Sequence, residues 1–157
     1  MSGKKKYFRF LPLLGGIITL VLSFIASIPF GSTYTLSFHI LESNNLHFYI
    51  WGIIESGSIW FDFSLFTLDN LIPLLFWIFF AFAGICGLIG ISYTENPSSV
   101  KKLLLVGGFT ISIEFLYFLT LYFLNFGSYS FGPGFYTMIG IILIYFVSAG
   151  LVTNYQK

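Results

Sequence analysis

A single carboxyl group lies deep in a long apolar segment of this sequence. Glu114 stands in the stretch TISIEFLYF, and helical spacing places it on one face with Gly107, Thr110 and Tyr117. An ionisable group inside a membrane is costly, so Glu114 is by default a candidate for a proton or cation relay, or for contact with a partner. The alternative is an uncharged carboxylic acid, hydrogen-bonded to a hydroxyl on a neighbouring helix.

Imidazoles and carboxylates gather in the segment 31–70, and together such groups can bind a divalent metal. Their spacing matches no metal-binding motif, and His39 and His47 fall on separate predicted strands. We therefore expect a solvated, mildly acidic surface here, with no bound metal and no cofactor. The residues concerned are His39, His47, Glu42, Glu55, Asp62 and Asp69.

The sequence contains no catalytic or phosphate-binding motif. It has no HExxH, no paired CxxC and no nucleophile motif, and FGPGFY is predicted to be the turn before the last helix. Cys86 is the only cysteine, which excludes an intramolecular disulfide and a thiolate metal site. We expect a protein that is not an enzyme.

The composition is that of a membrane protein. Hydrophobic residues make up 57% of the chain and charged residues 8%, and the mean hydropathy is +0.90. Four windows approach the ~20 apolar residues that cross a hydrocarbon core. The predicted fold is an all-α membrane protein, a single four-transmembrane-helix bundle with a small antiparallel β-sheet in the first extracellular loop. The predicted spans are 10–30, 71–91, 103–124 and 135–153.

The basic residues predict the orientation of these spans. Lys and Arg near spans are retained on the cytoplasmic side. With four spans, every basic residue falls on one face, so both termini lie inside and the loops 31–70 and 125–134 lie outside. The basic residues are Lys4, Lys5, Lys6, Arg9, Lys101, Lys102 and Lys157.

The first outer loop has the pattern of a sheet. Apolar and polar residues alternate in STYTLSFHI (32–40), and the β-rich segments 46–54 and 59–66 follow after the turns ESNN and ESGS. Because unpaired backbone groups cannot face lipid, this sheet must lie on top of the helices. The expected faces of the first strand are Tyr34, Leu36, Phe38 and Ile40 towards the helices and Thr33, Thr35, Ser37 and His39 towards water.

Aromatic side chains exceed what a solvated sheet needs. Trp51, Trp60 and Phe66 are candidate contacts for a partner protein, and an aromatic belt at the lipid headgroups is the alternative. Small residues recur along the first two spans and predict close helix packing within one bundle or, alternatively, in a homo-oligomer. The packing candidates are Gly15, Thr19, Ser23, Ser27, Gly84 and Gly87.

The layout resembles the claudin and peripheral-myelin-protein type of four-span membrane proteins. The segment YIWGIIESGSIWFDF stands where that family carries its G-L-W motif, KKLLLVGGF resembles the start of its third helix, and GPGFYTMIGIILIYFVSAGL the start of its fourth. The G-L-W motif and the loop cysteines of the family are not kept. The resemblance implies a helix bundle that holds a sheet at the outer surface for contacts.

The sequence thus predicts a multi-pass protein of the cell membrane that acts through protein contacts. It would be an accessory or assembly subunit, or a claudin-like adhesion or scaffold unit. The expected partners are the lipid bilayer and other membrane subunits or further copies of the chain, with no nucleic acid. The alternative is a small oligomeric transporter or channel in which Glu114, with Thr110 and Tyr117, lines the path.

Overall fold

Long apolar segments fold into helices, and the connections between them carry short antiparallel strands. The computed structural model describes residues 2–25, 27–30, 34–44, 46–50, 52–55, 58–60, 68–92, 97–124 and 128–154. The helices are α1 (Ser2–Phe24), α2 (Leu68–Ser92), α3 (Pro97–Leu124) and α4 (Pro133–Asn154). A mostly helical fold with small antiparallel sheets is therefore confirmed.

Two of these helices are long and apolar enough to cross a membrane. They contain the segments Ser98–Leu124 and Pro133–Val152. In the described parts of α1 and α2, the apolar segments Phe10–Phe24 and Leu74–Ile89 are shorter. Length and composition therefore agree with a membrane protein, but they support two spans and not the four that were predicted.

The first helix ends earlier than its predicted span, 10–30. It ends at Phe24, and the chain continues into strand β1 (Ser27–Phe30). The last carbonyls of a helix lack partners within it, and here the indole Nε1 of Trp77 on α2 donates a 2.8 Å hydrogen bond to the carbonyl of Ser23. This cross-helix bond stabilises the end of α1.

Two helices begin at proline. Pro97 is the first residue of α3 and Pro133 the first of α4. Proline suits this position because its fixed φ is helical and its missing N–H would have no partner there. The helix α3 therefore begins before its predicted span, and Lys101 and Lys102 belong to its first two turns.

The four helices close around one tyrosine. Each helix packs against two others, α1 and α3 both lying between α2 and α4. The ring of Tyr145 on α4 is 0% exposed. A Cβ placed on Gly15 of α1 would lie 3.0 Å from this ring, and one on Gly107 of α3 would lie 2.6 Å from it. The Tyr145 hydroxyl donates a 2.6 Å hydrogen bond to the carbonyl of Ala83 on α2.

The backbones of α1 and α2 meet directly at a second set of glycines. A Cβ on Gly16 would lie 2.9 Å from the carbonyl oxygen of Gly84 and 2.9 Å from the amide nitrogen of Leu88. Backbone groups cannot move aside as side chains do. The crossing of α1 over α2 therefore requires glycine at position 16.

The strands form two antiparallel sheets. Strands β1 and β2 form a two-stranded sheet, and β3 to β7 form a five-stranded one in the order β6-β5-β4-β3-β7, which we name the cap sheet. The strands after β1 are β2 (Tyr34–Ser37), β3 (Leu41–Ser43), β4 (Leu46–Tyr49), β5 (Gly52–Glu55), β6 (Ser58–Trp60) and β7 (Ser130–Phe131).

The prediction of antiparallel strands in this loop is thus confirmed, but the predicted bounds and pairing of the three strands are wrong. The predicted strand 32–40 shortens to β2, which pairs with β1, and the predicted strand 46–54 is a hairpin of β4 and β5. Strand β7 comes from the second loop and pairs with β3. The expected faces also fail at two positions, because Leu36 is 42% exposed whereas His39 is only 8% exposed.

The cap sheet is attached to the bundle by both backbone and aromatic contacts. The amide of Gly134, at the start of α4, donates to the carbonyl of His39 at 2.9 Å. Phe131 of β7 stacks between Tyr122 of α3 and Phe135 of α4, with ring centroids 4.0 Å apart on each side. The two connecting loops therefore lie together at one end of the bundle.

We expect Gly16→Ala to lower the thermal stability of the protein. The added methyl group has only backbone to press against, and overpacking of this kind costs about 1–3 kcal/mol. Gly140→Ala is the matched control, because a Cβ there meets nothing within 4 Å. Cys86 is the only cysteine and is buried, so a thiol-reactive dye reports unfolding in detergent. Equal melting temperatures for Gly16→Ala and the wild type would contradict the direct contact of α1 with α2.

Candidate functional site

The predicted partner-contact residues fall mostly outside what the structure describes. Trp51 and Phe66 lie outside the described residues. Trp60 is the last residue of β6, and its backbone pairs with Ile53 of β5. Strand β6 forms one edge of the cap sheet, so Trp60 is placed on an edge strand.

Glu114 faces the interior of the bundle. It is 1% exposed, and neither of its carboxylate oxygens has a hydrogen-bond partner among the described residues. The hydroxyl of Thr110 donates to the carbonyl of Val106 in its own helix at 2.9 Å. Tyr117 packs against Phe76 of α2, with ring centroids 4.6 Å apart. The structure thus brings neither Thr110 nor Tyr117 into a hydrogen bond with Glu114.

The hydroxyl groups of the small residues on α1 are hydrogen-bonded to backbone carbonyls of the same helix. Thr19 donates to the carbonyl of Gly15 at 2.7 Å, and Ser23 donates to the carbonyl of Thr19 at 2.8 Å. Ser27 lies in β1, beyond the end of α1, so the helical stripe that was predicted does not reach it.

The glycines of α2 lie against α1 and the central tyrosine. A Cβ on Gly84 would lie 2.8 Å from the side chain of Leu20. One on Gly87 would lie 2.8 Å from the Cα of Gly16 and 2.5 Å from the Tyr145 hydroxyl. These positions take part in packing within one chain.

The polar side chains that do converge lie in the cap sheet. The Nε2 of His39 is 3.0 Å from the Oε2 of Glu42, and the Nδ1 of His47 is 3.8 Å from the same oxygen. The two imidazole rings meet edge to face, with centroids 4.9 Å apart. One potential ligand atom from each of the three residues lies within 4.8 Å of the other two.

A second layer of hydroxyl groups surrounds these three side chains. The Nδ1 of His39 is 2.9 Å from the Oγ of Ser37, which in turn is 2.9 Å from the hydroxyl of Tyr49. Ser130 of β7 donates to the Oε1 of Glu42 at 3.0 Å. The arrangement leaves Oε2 of Glu42 directed at the two imidazoles.

Burial dominates the electrostatics of His39. Loss of hydration lowers the pKa of His39 below its usual value of 6.5, since burial disfavours the charged ring. The carboxylate of Glu42 opposes this effect, and the nearby His47 adds to it. At neutral pH the ring is therefore uncharged, with one nitrogen donating and the other accepting, and each nitrogen lies within hydrogen-bond distance of a partner.

The sequence contained one overlooked signal for this convergence. Asn44 has φ of 51°, the left-handed conformation of tight turns that asparagine tolerates. The turn at Asn44 lies between β3 and β4, whose register pairs Ser43 with Leu46 and Glu42 directly with His47. The prediction that the histidines fall on separate strands does not argue against a site, because neighbouring strands bring side chains together.

Known proteins do not add an assignment to this geometry. No protein-family model and no curated protein matches the chain. The resemblance in layout to the claudin type stays a prediction, and the function must be argued from the residues themselves.

Proposed function

We propose that this chain is a non-enzymatic, four-span membrane protein that acts through protein contacts made by its cap sheet. The observation that carries the membrane part is a belt of large apolar side chains exposed on every helix, which water would not tolerate over such an area. Members of this belt are Phe10, Leu14 and Ile17 on α1, Ile78, Phe79, Phe82 and Ile85 on α2, Phe109, Ile113 and Leu116 on α3, and Tyr136, Leu143 and Val147 on α4.

The lengths of α1 and α2 support their crossing the membrane beside α3 and α4. Counted with their polar ends, the 23 residues of α1 and 25 of α2 give axial lengths of about 35 and 38 Å at 1.5 Å per residue, of which the apolar segments Phe10–Phe24 and Leu74–Ile89 cover about 22 and 24 Å. A hydrocarbon core is about 30 Å thick. Six of the seven Lys and Arg residues belong to the N-terminal parts of α1 and α3, at the ends of these helices opposite the cap sheet, and the seventh, Lys157, lies outside the described residues. The positive-inside rule then places both termini in the cytoplasm and the cap sheet outside.

The cap sheet is the part of the protein best suited to contact a partner. It combines both outer loops in one unit and has β6 at one edge. Edge strands present backbone groups that a second chain can pair with. Trp51, Trp60 and Phe66 belong to this part of the chain and are our candidates for contact residues. The claudin-like layout favours the same role by analogy alone.

Cysteine labelling will test the four-span arrangement. In a Cys86→Ser background, we expect Thr35→Cys and Ser128→Cys to react with a membrane-impermeant thiol reagent in intact cells. Ser2→Cys and Ser98→Cys should react only after permeabilisation, because both lie at the cytoplasmic end. Labelling of Ser2→Cys and Thr35→Cys from the same side would contradict a membrane-spanning α1.

The mass of the gently solubilised particle will test the contact function. We expect a mass above the 17.8 kDa of one chain, because partner subunits or further copies remain bound. Alanine at Trp51, Trp60 and Phe66 together should reduce it, whereas the matched control Phe109→Ala, on the lipid-facing belt, should not. A wild-type particle of one chain, or equal masses for all variants, would contradict the proposal.

A second candidate function is favoured by one observation. Glu114 is buried among helices with no hydrogen-bond partner in the described residues. The cost of such a group calls for a role, and a transporter or channel in which Glu114 carries a proton or cation would supply one. Thr110 and Tyr117, the predicted companions of Glu114 in such a path, are not hydrogen-bonded to it.

Flux measurements with Glu114→Gln will decide on this second candidate. The amide keeps the shape of the side chain but does not exchange a proton. If Glu114 lines a path, the variant should lose proton or cation flux into liposomes while keeping the particle mass of the wild type. Ser112→Ala is the control, because its hydroxyl bonds only to the carbonyl of Gly108 in its own helix. Absence of flux for the wild type, or equal flux for both proteins, would rule the transport role out.

A further inference from the structure

Three side chains with the chemistry of metal ligands converge in the cap sheet. We propose that His39, Glu42 and His47 form a site for one divalent transition metal ion, and that Zn²⁺ suits them best. Their ligand atoms lie within 4.8 Å of one another. The site is independent of the contact role proposed above, and it depends neither on the number of spans nor on Glu114.

The type and spacing of the donors fit zinc. Two imidazoles and one carboxylate are a ligand set that zinc uses when a fourth position is left open. Ligands at 2.0–2.1 Å in tetrahedral geometry lie about 3.3 Å apart. The observed separations from Oε2 of Glu42, 3.0 Å to His39 and 3.8 Å to His47, are close to that value. The ligand atoms lie as far as 4.8 Å apart in the absence of an ion, so the half-exposed His47 side chain would have to move towards the other two on binding.

The hydroxyl groups around the three ligands act as their supports. Metal-bound histidines normally donate their other ring N–H to an oxygen, which fixes the ring and its tautomer. The Oγ of Ser37 lies at that position beside His39 Nδ1, and Tyr49 is there to accept the Ser37 proton. Ser130 holds the other oxygen of Glu42. The side chains of His39 and Glu42 are therefore oriented before any ion arrives.

The hydrogen bonds around His39 can be kept when an ion binds to its Nε2. When an ion occupies Nε2, the ring proton resides on Nδ1 and is donated to Ser37, whose own proton turns to Tyr49. A carboxylate at 3.0 Å then supplies negative charge to the cation.

The third proposed ligand atom, Nδ1 of His47, has no hydrogen-bond partner among the described residues. This nitrogen is buried, and at 3.8 Å its contact with Glu42 is too long for a hydrogen bond. Buried polar atoms are normally paired. An ion between the two imidazoles and the carboxylate would satisfy this nitrogen.

The ion would tie together parts of the cap sheet that are distant in the sequence. It would join His39, before β3, to both strands of the β3–β4 hairpin and, through Ser130, to β7. A tetrahedral ion would keep one position for water or for a donor from a partner. Glu42 also borders an open cleft of about 280 Å³, lined further by Ser43, Asn44, Ser128, Tyr129 and Ser130.

Calorimetric titration with Zn²⁺ tests the proposal. The full chain, without a histidine tag, is purified in detergent, stripped with a chelator and titrated. We expect one ion per chain, with affinity at least tenfold weaker in His47→Gln and in Glu42→Gln. Ser37→Ala should weaken binding about tenfold, the lower end of the range for supporting residues. Ser128→Ala is the matched control, since it borders the cleft but is neither a ligand nor hydrogen-bonded to one.

Two outcomes would overturn the site. One is the absence of saturable Zn²⁺ binding to the wild type, and the other is binding by His47→Gln with wild-type affinity. His47 is half-exposed and its Nδ1 is unpaired, so its replacement should leave the metal-free melting temperature unchanged. Should that variant nevertheless unfold, Co²⁺ decides with the wild type alone. Visible absorption of tetrahedral Co²⁺ with nitrogen ligands supports the site, and the spectrum of hydrated Co²⁺ refutes it.

Discussion

The structure depends on a large ring held against small residues. Tyr145 contributes the bulk at the centre of the bundle, and Gly15 and Gly107 provide the space for it on two other helices. Its hydroxyl is bound to the carbonyl of Ala83 on the remaining helix, so a single side chain contacts all four. Small residues let helix backbones approach closely, and close packing and hydrogen bonds of this kind hold the bundle together. This contact sets how the helices meet and thereby fixes the spacing of the helix ends that carry the cap sheet.

Much of the helical architecture could be predicted because it follows from local properties. Apolar segments and the placement of lysines located the helices, and alternation located strands in the first outer loop. The boundaries were less accurate because they depend on contacts. The end of α1 is stabilised by Trp77, which is distant in the sequence, and the pairing of β1 with β2 converts Ser27 from a helix position into a strand. Strand β7 has two residues and forms only because β3 lies beside it. No local sequence pattern therefore predicts it.

Among the polar residues, too, properties that follow from the local sequence could be predicted, and those that depend on distant contacts could not. The apolar sequence around Glu114 identified it as an acid deep in a helix, but its burial and the side-chain directions of Thr110 and Tyr117 depend on neighbouring helices. The cluster around Glu42 was missed because it requires the register of a hairpin, set by the turn at Asn44. Its supporting hydroxyl groups come partly from the other loop, and only the folded bundle brings the two loops together.

The position of Tyr145 in the last helix has a consequence for biogenesis. The helices are synthesised in chain order, and α1 to α3 carry the glycine surfaces before α4 supplies the ring that fills the space between them. The pairing between Glu42 and Ser130 spans 88 residues, so the first outer loop also has to wait for the second before its sheet is complete. The newly made chain therefore passes through a stage in which the glycine surfaces lack the ring of Tyr145 and β3 has an unpaired edge.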